Sequence, residues 1–497
     1  MDRKILVYLF LSFSLVLGGL FRLYKLSSSP ASLNWDEAAL GYNAYSLLLT
    51  GRDEYGYVLP LSLRSFDDFK PAAYAYMTIP FVKLAGLSEI TVRLTSVIAG
   101  LLTIVTLFII ATKLTNNRIL SATAAFLVAI EPWAVQFSRP AFEANLSLLL
   151  VLITIAVLVR NRYPMAIFIS TLNIFVYHSA KVYLLLIIFL IIIKTRKYIL
   201  LSILAVVILG LQTWFGSGLA RFGSTGISKL WNETHSIYKF SGEVVDRYFS
   251  YYSPVNLFVR GSNEPNQKLP SFALFYPFEF FLFVPGMIYV LRLKKSLTIW
   301  ILLASVPAIL TWSWFSPIRV LPLWAGVSII NALGLWWWTR KINSKIILPI
   351  FVLLISISVS LLGIDVWLRL PYLNYGDWQW GFRETLTAIN PIQDKYKSIV
   401  WDTDQAQPHI FTLFYTKYSP IQYHLEVPFV PVPRTNFDFG KYHFRKIFWP
   451  DDREFKDTLF IGGVYSLPED DLKRYNAKVY KEIIDPQGYI QSKIVPR

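Results

Sequence analysis

Cysteine is absent from this 497-residue sequence, and charge is scarce: 16% of residues are Asp, Glu, Lys or Arg, against 54% hydrophobic. The missing thiols exclude a disulfide scaffold, thiol catalysis and any Cys-ligated metal. Histidine numbers only five, and His178 has no His-x-x-x-His partner, so metal-ligand spacing is missing as well. No G-x-x-x-x-G-K-[ST] or G-x-G-x-x-G loop occurs, and nothing repeats at a solenoid period. Soluble domains carry about a quarter charged residues. With a mean hydropathy of +0.45, this chain belongs instead among polytopic membrane proteins.

Long apolar runs are what the sequence has in place of charge. A run of about 17 residues or more crosses a ~30 Å hydrocarbon core as a helix. Such runs predict about eleven spans, near 5–23, 91–112, 119–136, 143–159, 164–180, 182–195, 198–216, 272–291, 297–315, 320–338 and 346–368. Residues 178–181 are either a turn between two spans or a polar patch within one long helix. The first run is longer than the 7–15 residues of a signal-peptide core, so it reads as a retained span.

The net charge of +16 would suit nucleic acid, but the cations are placed as a membrane protein places them. Arg3 and Lys4, Lys113 and Arg118, Arg160 and Arg162, Lys194 to Lys197, Arg292 to Lys295 and Arg340 to Lys345 fall at alternate ends of the spans. The opposite turns carry single cations: Arg139, Lys181 and Arg319. The positive-inside rule then predicts an inner-membrane, multi-pass protein with a cytoplasmic N-terminus and no nucleic-acid partner. Its hydrophilic stretches at 24–90, at 217–271 and beyond 370 fall on the outer face.

Two domains are expected: a membrane module over 1–369 and an extracytoplasmic domain over 370–497. In the first outer loop, "EAALGYNAYSLLLTG" puts Leu40, Ala44, Leu47 and Leu48 on one helix side, with Gly51 as C-cap. "KPAAYAYMTIPFVKLAG" predicts a second short helix; both suit the membrane interface or ordinary loop packing. In the tail, "YKSIVWDTD", "TLFIGGVYSL" and "AKVYKEIID" predict strands, and "AQPHIFTLFYTKYSP" a helix, giving a small α/β or α+β domain. Trp312-Ser313-Trp314 and Trp336-Trp337-Trp338 fit interface anchoring, whereas Trp378 and Trp380 are candidates for stacking on sugar.

Asp36, Glu37, Asp67, Asp68, Lys70, Arg139, Glu143, His178, Lys181 and Arg319 all fall near the outer ends of spans. Charge is costly in a membrane protein unless it meets water or a partner, so this level marks a candidate site. Carboxylates mixed with cations suit a lipid-linked sugar phosphate, whose anionic head lies at the interface. Asp36 fits a general base for an acceptor hydroxyl, and Lys70 with the lone outer cations fits the phosphate. Blander readings stand beside these. The acidic pair suits a solvated helix start, Lys70 a snorkelling side chain, Arg139 and Glu143 an i,i+4 salt bridge, and Arg319 a structural turn after Pro317.

The stretch from Trp35 to Thr103, "WDEAALGYNAYSLLLTGRDEYGYVLPLSLRSFDDFKPAAYAYMTIPFVKLAGLSEITVRLTSVIAGLLT", resembles the GT-C superfamily of integral-membrane glycosyltransferases. Within it the resemblance is to the protein O-mannosyltransferase and aminoarabinose transferase branch (glycosyltransferase family 39-like), through the acidic pair, the Lys-Pro segment and the Arg-Leu entry to the second span. It implies a polytopic GT-C-like helical fold and inverting transfer from a polyprenyl-phosphate sugar on the outer face. It implies the base role for Asp36, the second acidic place for Glu37, expected to be catalytic with it, and the carrier phosphate for Lys70; Arg319 is similar to a basic residue of some bacterial members, and Arg319 and Arg139, as lone outer cations, are expected to join Lys70 at the phosphate. Glu143 is similar to an acidic residue that the family keeps after its third span, and from their shared level Asp68, His178 and Lys181 are expected with it to support the acceptor or the site. The chain departs from the pattern at Ala72, where Pro is frequent, at Phe69, which separates Asp68 from Lys70, and at Glu143, where Asp is common.

The expected activity is therefore a glycosyltransferase acting on a glycan, lipid or protein hydroxyl, in contact with membrane lipid. No cofactor is required, and a divalent cation at Glu37 is left open. A transporter or flippase of lipid-linked precursors is the alternative, and an inactive scaffold a third reading. A transporter should show paired broken helices and ionisable residues near the midplane.

Overall fold

The computed structural model describes residues 2–66, 68–215, 227–311, 313–404, 407–427 and 437–497. Asp67 and Trp312 lie outside the described residues, as does the side chain of Asp68. The chain is a polytopic α-helical membrane protein with a C-terminal sheet domain.

A helix stands at each of the eleven expected span positions. Five are long and apolar enough to cross a membrane: Arg3–Leu23, Glu89–Thr115, Arg196–Phe215, Pro317–Lys341 and Ser344–Leu373. A sixth arises if Arg118–Ile130 and Pro132–Ser138, bent by 56° at Glu131, count as one span. The expected number is not reached by helix length, because several runs break early. Tyr163–Asn173 and Ala180–Lys194 are separate helices of 11 and 15 residues with a turn at 174–179, which resolves the 178–181 ambiguity in favour of a turn. The 272–291 run becomes helical only at Phe280–Leu293, after a short 3₁₀ turn at Pro277–Glu279.

Contacts divide the chain into two units. The first comprises Met1–Leu26, Asp68–Tyr74 and Thr95–Arg369; the second Ser27–Asp67, Ala75–Leu94 and Leu370–Arg497. In the first unit, Phe280–Leu293 and Leu321–Lys341 approach until only glycine fits. A Cβ on Gly334 would lie 1.8 Å from the Leu282 carbonyl oxygen, and one on Gly286 2.0 Å from that of Ile330. Small residues let helix backbones meet in this way where lipid offers no hydrophobic drive. Gly334→Ala is therefore expected to lower the thermal stability of the protein in detergent by at least the ~1–3 kcal/mol of ordinary overpacking. Gly210→Ala, with open space around it, should leave stability unchanged or slightly raised.

The second unit contains a five-stranded mixed sheet. Tyr442–Phe444, Ser398–Trp401 and Thr458–Gly462 run parallel, followed by antiparallel Ile490–Pro496 and then Lys481–Ile484. Three of these strands and the Pro408–Tyr415 helix stand where the tail sequence predicts them. Thr458–Gly462 is buried throughout, as a central strand covered on both faces should be. On one face Val400, Phe460 and Val495 pack with Ile447, Trp449, Leu467 and Leu472. Phe382 stacks on Phe411 at 4.3 Å and on Trp401 at 5.7 Å.

The Trp35–Thr50 helix belongs to this unit and corrects the one-sided reading of its sequence. Ala38 through Ala44, then Ser46 and Leu47, are buried. At Gly41 a Cβ would approach Phe414 and Val92 to 2.5 Å, so the helix lies in a packed interior and not along an interface. Gly51 does cap its end, with φ +67° and its N–H bonded to the Leu47 carbonyl at 3.0 Å. Trp378 also departs from expectation: it is fully buried and presents no stacking face, while Trp380 packs edge-on against Tyr375.

Candidate active site

In the second unit the acidic pair starts the Trp35–Thr50 helix, and its two carboxylates face different surroundings. Asn34 and Glu37 form a capping box: Asn34 Oδ1 accepts from the Glu37 N–H at 2.8 Å, and Glu37 Oε2 accepts from the Asn34 N–H at 3.1 Å. Glu37 also receives a two-pronged grip from Arg93, Nε to Oε1 at 2.9 Å and Nη2 to Oε2 at 3.1 Å. Arg93 is completely buried, Glu37 is 1% exposed, and the same guanidinium donates to the Ser32 carbonyl at 2.6 Å. Glu37 is thus an anchor that ties the helix start to Arg93, which opens the following span. This placement weighs against Glu37 as a catalytic or metal-binding group.

One residue earlier on the helix, Asp36 is half-buried and reaches solvent. Successive helical residues point about 100° apart, so Asp36 does not share the direction in which Glu37 is fixed. The neighbouring Trp35 N–H, which has no partner within the helix, is satisfied by Gln379 Oε1 at 2.6 Å.

The remaining candidates belong to the first unit. Lys70 is buried on the short Asp68–Pro71 strand, and the turn at 174–179 holds that strand from two sides. His178 Nε2 donates to the Phe69 carbonyl at 3.0 Å, and the Ala73 N–H donates to the Phe175 carbonyl at 3.0 Å. His178 therefore positions the backbone next to Lys70, and Lys181 lies in the first turn of the following helix, half-buried. Removing the ring should loosen this strand. For the activity proposed below, His178→Ala is expected to raise KM about tenfold, with His178→Gln restoring part of the loss because its amide N–H reaches the same acceptor.

Arg139 is fully buried and donates to the carbonyls of Phe21, Tyr24 (3.0 Å) and Lys25 (3.1 Å), just where the first helix ends. These are the acceptors a helix C-terminus leaves open, so the side chain works as a cap, and its assignment to the phosphate gains no support. Glu143 opens the Glu143–Leu158 helix, half-buried. Arg319 lies in the short Pro317–Val320 turn, as expected, and donates to the Thr311 hydroxyl.

Two features escaped sequence reasoning. Arg247, on the Ile237–Ser250 helix, donates to the Thr311 carbonyl at 3.2 Å, so two arginines meet at one residue. Burial pushes the nearby Tyr251 hydroxyl up to about 12, against the pull of its Ser316 hydrogen bond and of both arginines. The other feature is a pair of fully buried carboxylates. Glu131, at the 56° bend, accepts from Trp133 Nε1 at 2.7 Å and from Ser328 Oγ. Glu279 accepts from Asn331 Nδ2 at 3.4 Å. Each is a lone acid inside a run otherwise read as span, and a lone acid gives no sequence signal of its partners.

Among the described residues, no three His, Asp or Glu side chains converge as a metal site. No protein-family model matches the sequence, and no curated protein matches it significantly. Solved structures do. ArnT from Cupriavidus metallidurans bound to undecaprenyl phosphate superposes with a TM-score of 0.57 at 13% identity, over 99% of this chain and 98% of that one. The apo state of the same protein gives 0.55 at 14% identity, over 100% and 98%. The likeness covers both chains nearly end to end, and the protein therefore has a GT-C-like integral-membrane fold.

Proposed function

We propose that the protein is an inverting glycosyltransferase, which moves a sugar from a polyprenyl-phosphate carrier to an acceptor hydroxyl at the outer membrane face. The observation that carries this reading is the contrast within the acidic pair: Glu37 is buried and locked by Arg93, whereas Asp36, next to it on the helix, is only half-buried. The shared fold with a protein solved with undecaprenyl phosphate supports a lipid-phosphate donor.

In this reading Asp36 accepts the proton of the acceptor hydroxyl as that oxygen bonds to the anomeric carbon. The bond from that carbon to the phosphate oxygen breaks, and its electron pair leaves with the phosphate. Lys70 holds the leaving charge, and the Arg319 and Arg247 pair is a further cationic group of the same unit. Attack opposite the leaving group inverts the anomeric centre. A transporter is the second reading: the buried Glu131 and Glu279 supply interior acids of the kind it needs, but it also calls for a pair of broken helices. One bent pair is present among the described residues.

The test is the anomeric configuration of the product made from a donor of known configuration, read by NMR. Inversion supports the single-displacement role of Asp36. Retention would replace it with a covalent intermediate.

A further inference from the structure

The first unit contains a cavity of about 690 Å³ that the proposed reaction does not use. It runs along three helices, Glu143–Leu158, Ala180–Lys194 and Lys295–Ala304, and its character changes in step along all of them. At one end lie Val151, Tyr183 and Ala304, with the Tyr183 hydroxyl bonded to the Ala304 carbonyl at 2.8 Å. At the other end the same helices reach Asn161, Lys194 and Ser296, with Lys113 beside them. Lys194 Nζ donates to Asn161 Oδ1 at 2.9 Å, and Lys294, whose Nζ binds the Leu114 carbonyl at 3.2 Å, adds a third cation next to Lys113. Between the ends the lining is apolar, from Ile155, Leu186 and Leu190 with the Trp300 ring.

Tyr183 and Lys194 are eleven residues apart on one helix, or about 16 Å at 1.5 Å per residue. That is close to half of the ~30 Å hydrocarbon core, the depth of a single leaflet. We infer that this groove is a binding site for an anionic phospholipid, with one acyl chain along the apolar walls and the phosphate at Lys113 and Lys194. Length and charge together choose this occupant. A zwitterionic headgroup would give the paired lysines no net charge to neutralise, and a polyprenyl chain is too long for one leaflet's depth. Basic pockets between membrane helices recognise anionic headgroups on this principle.

Native mass spectrometry of the full chain, purified and then exposed to phosphatidylglycerol, cardiolipin, phosphatidylcholine or polyprenyl phosphate, tests it. Lys113→Gln with Lys194→Gln should weaken apparent phosphatidylglycerol affinity about 30-fold. That equals about 2 kcal/mol at 1.4 kcal/mol per decade, from about 1 kcal/mol per basic residue. Lys341→Gln with Lys345→Gln, which removes two cations elsewhere, should leave it unchanged. If the first double variant fails to fold, Leu186→Trp, which fills the groove and keeps both lysines, should displace the same lipid. Equal retention of phosphatidylcholine, an equal effect of both double variants, or displacement of phosphatidylglycerol by polyprenyl phosphate would each overturn the inference. Loss of glycosyl transfer in the wild type would overturn the proposed reaction and leave this site untouched.

Discussion

Replacing Glu37 by glutamine is expected to cost about 3–5 kcal/mol of stability, because it leaves the guanidinium of Arg93 buried without its counter-charge. Both side chains are withdrawn from solvent, and the pair is held by two hydrogen bonds rather than one. Arg93→Met should be as damaging, since it leaves the Glu37 carboxylate buried instead. The double variant Glu37→Gln, Arg93→Met should recover much of the loss, because removing both charges of a buried pair is far cheaper than removing one. Thermal unfolding in detergent reads all three. Losses that simply add would mean that the two residues do not act as a pair.

The neighbouring position should behave in the opposite way. Asp36→Asn is expected to leave the unfolding temperature within a degree or two of wild type and to lower turnover about 10²–10⁴-fold, the usual contribution of a positioned general base. The change keeps the size and the polar contacts of the side chain and removes its capacity to hold a proton. Two adjacent acids would then divide cleanly, one failing in stability and the other in rate. An Asp36→Asn protein with full turnover would transfer the base role elsewhere, and Glu143 of the first unit is the next candidate.

How much of this was legible in the sequence follows from which physical signals are local. Apolar runs gave a helix at every expected span, because hydropathy and helical reach are properties of short windows. Three tail strands were equally legible from their β-branched and aromatic residues, whereas Tyr442–Phe444 and Ile490–Pro496 gain their definition from the partners on which they pair. The acidic pair was visible, and so was its place at a helix start. Nothing local revealed that Arg93, 56 residues later, completes the partnership of Glu37. The same reason hid the engagement of Arg139 with the end of the first helix, the burial of Trp378, and the Ser328 and Asn331 contacts of the two interior acids. Each is a long-range contact between residues that look ordinary in their own windows.

The reaction proposed above breaks the bond between a sugar and a polyprenyl phosphate. It is tested most directly by reconstituting the purified wild type in lipid with polyprenyl-phosphate hexoses and pentoses plus acceptor extract, and measuring free polyprenyl phosphate. Carrier release matched mole for mole by glycosylated acceptor is the predicted result. Saturable binding of the donors, or their movement across the bilayer with no carrier released from any of them, would contradict it.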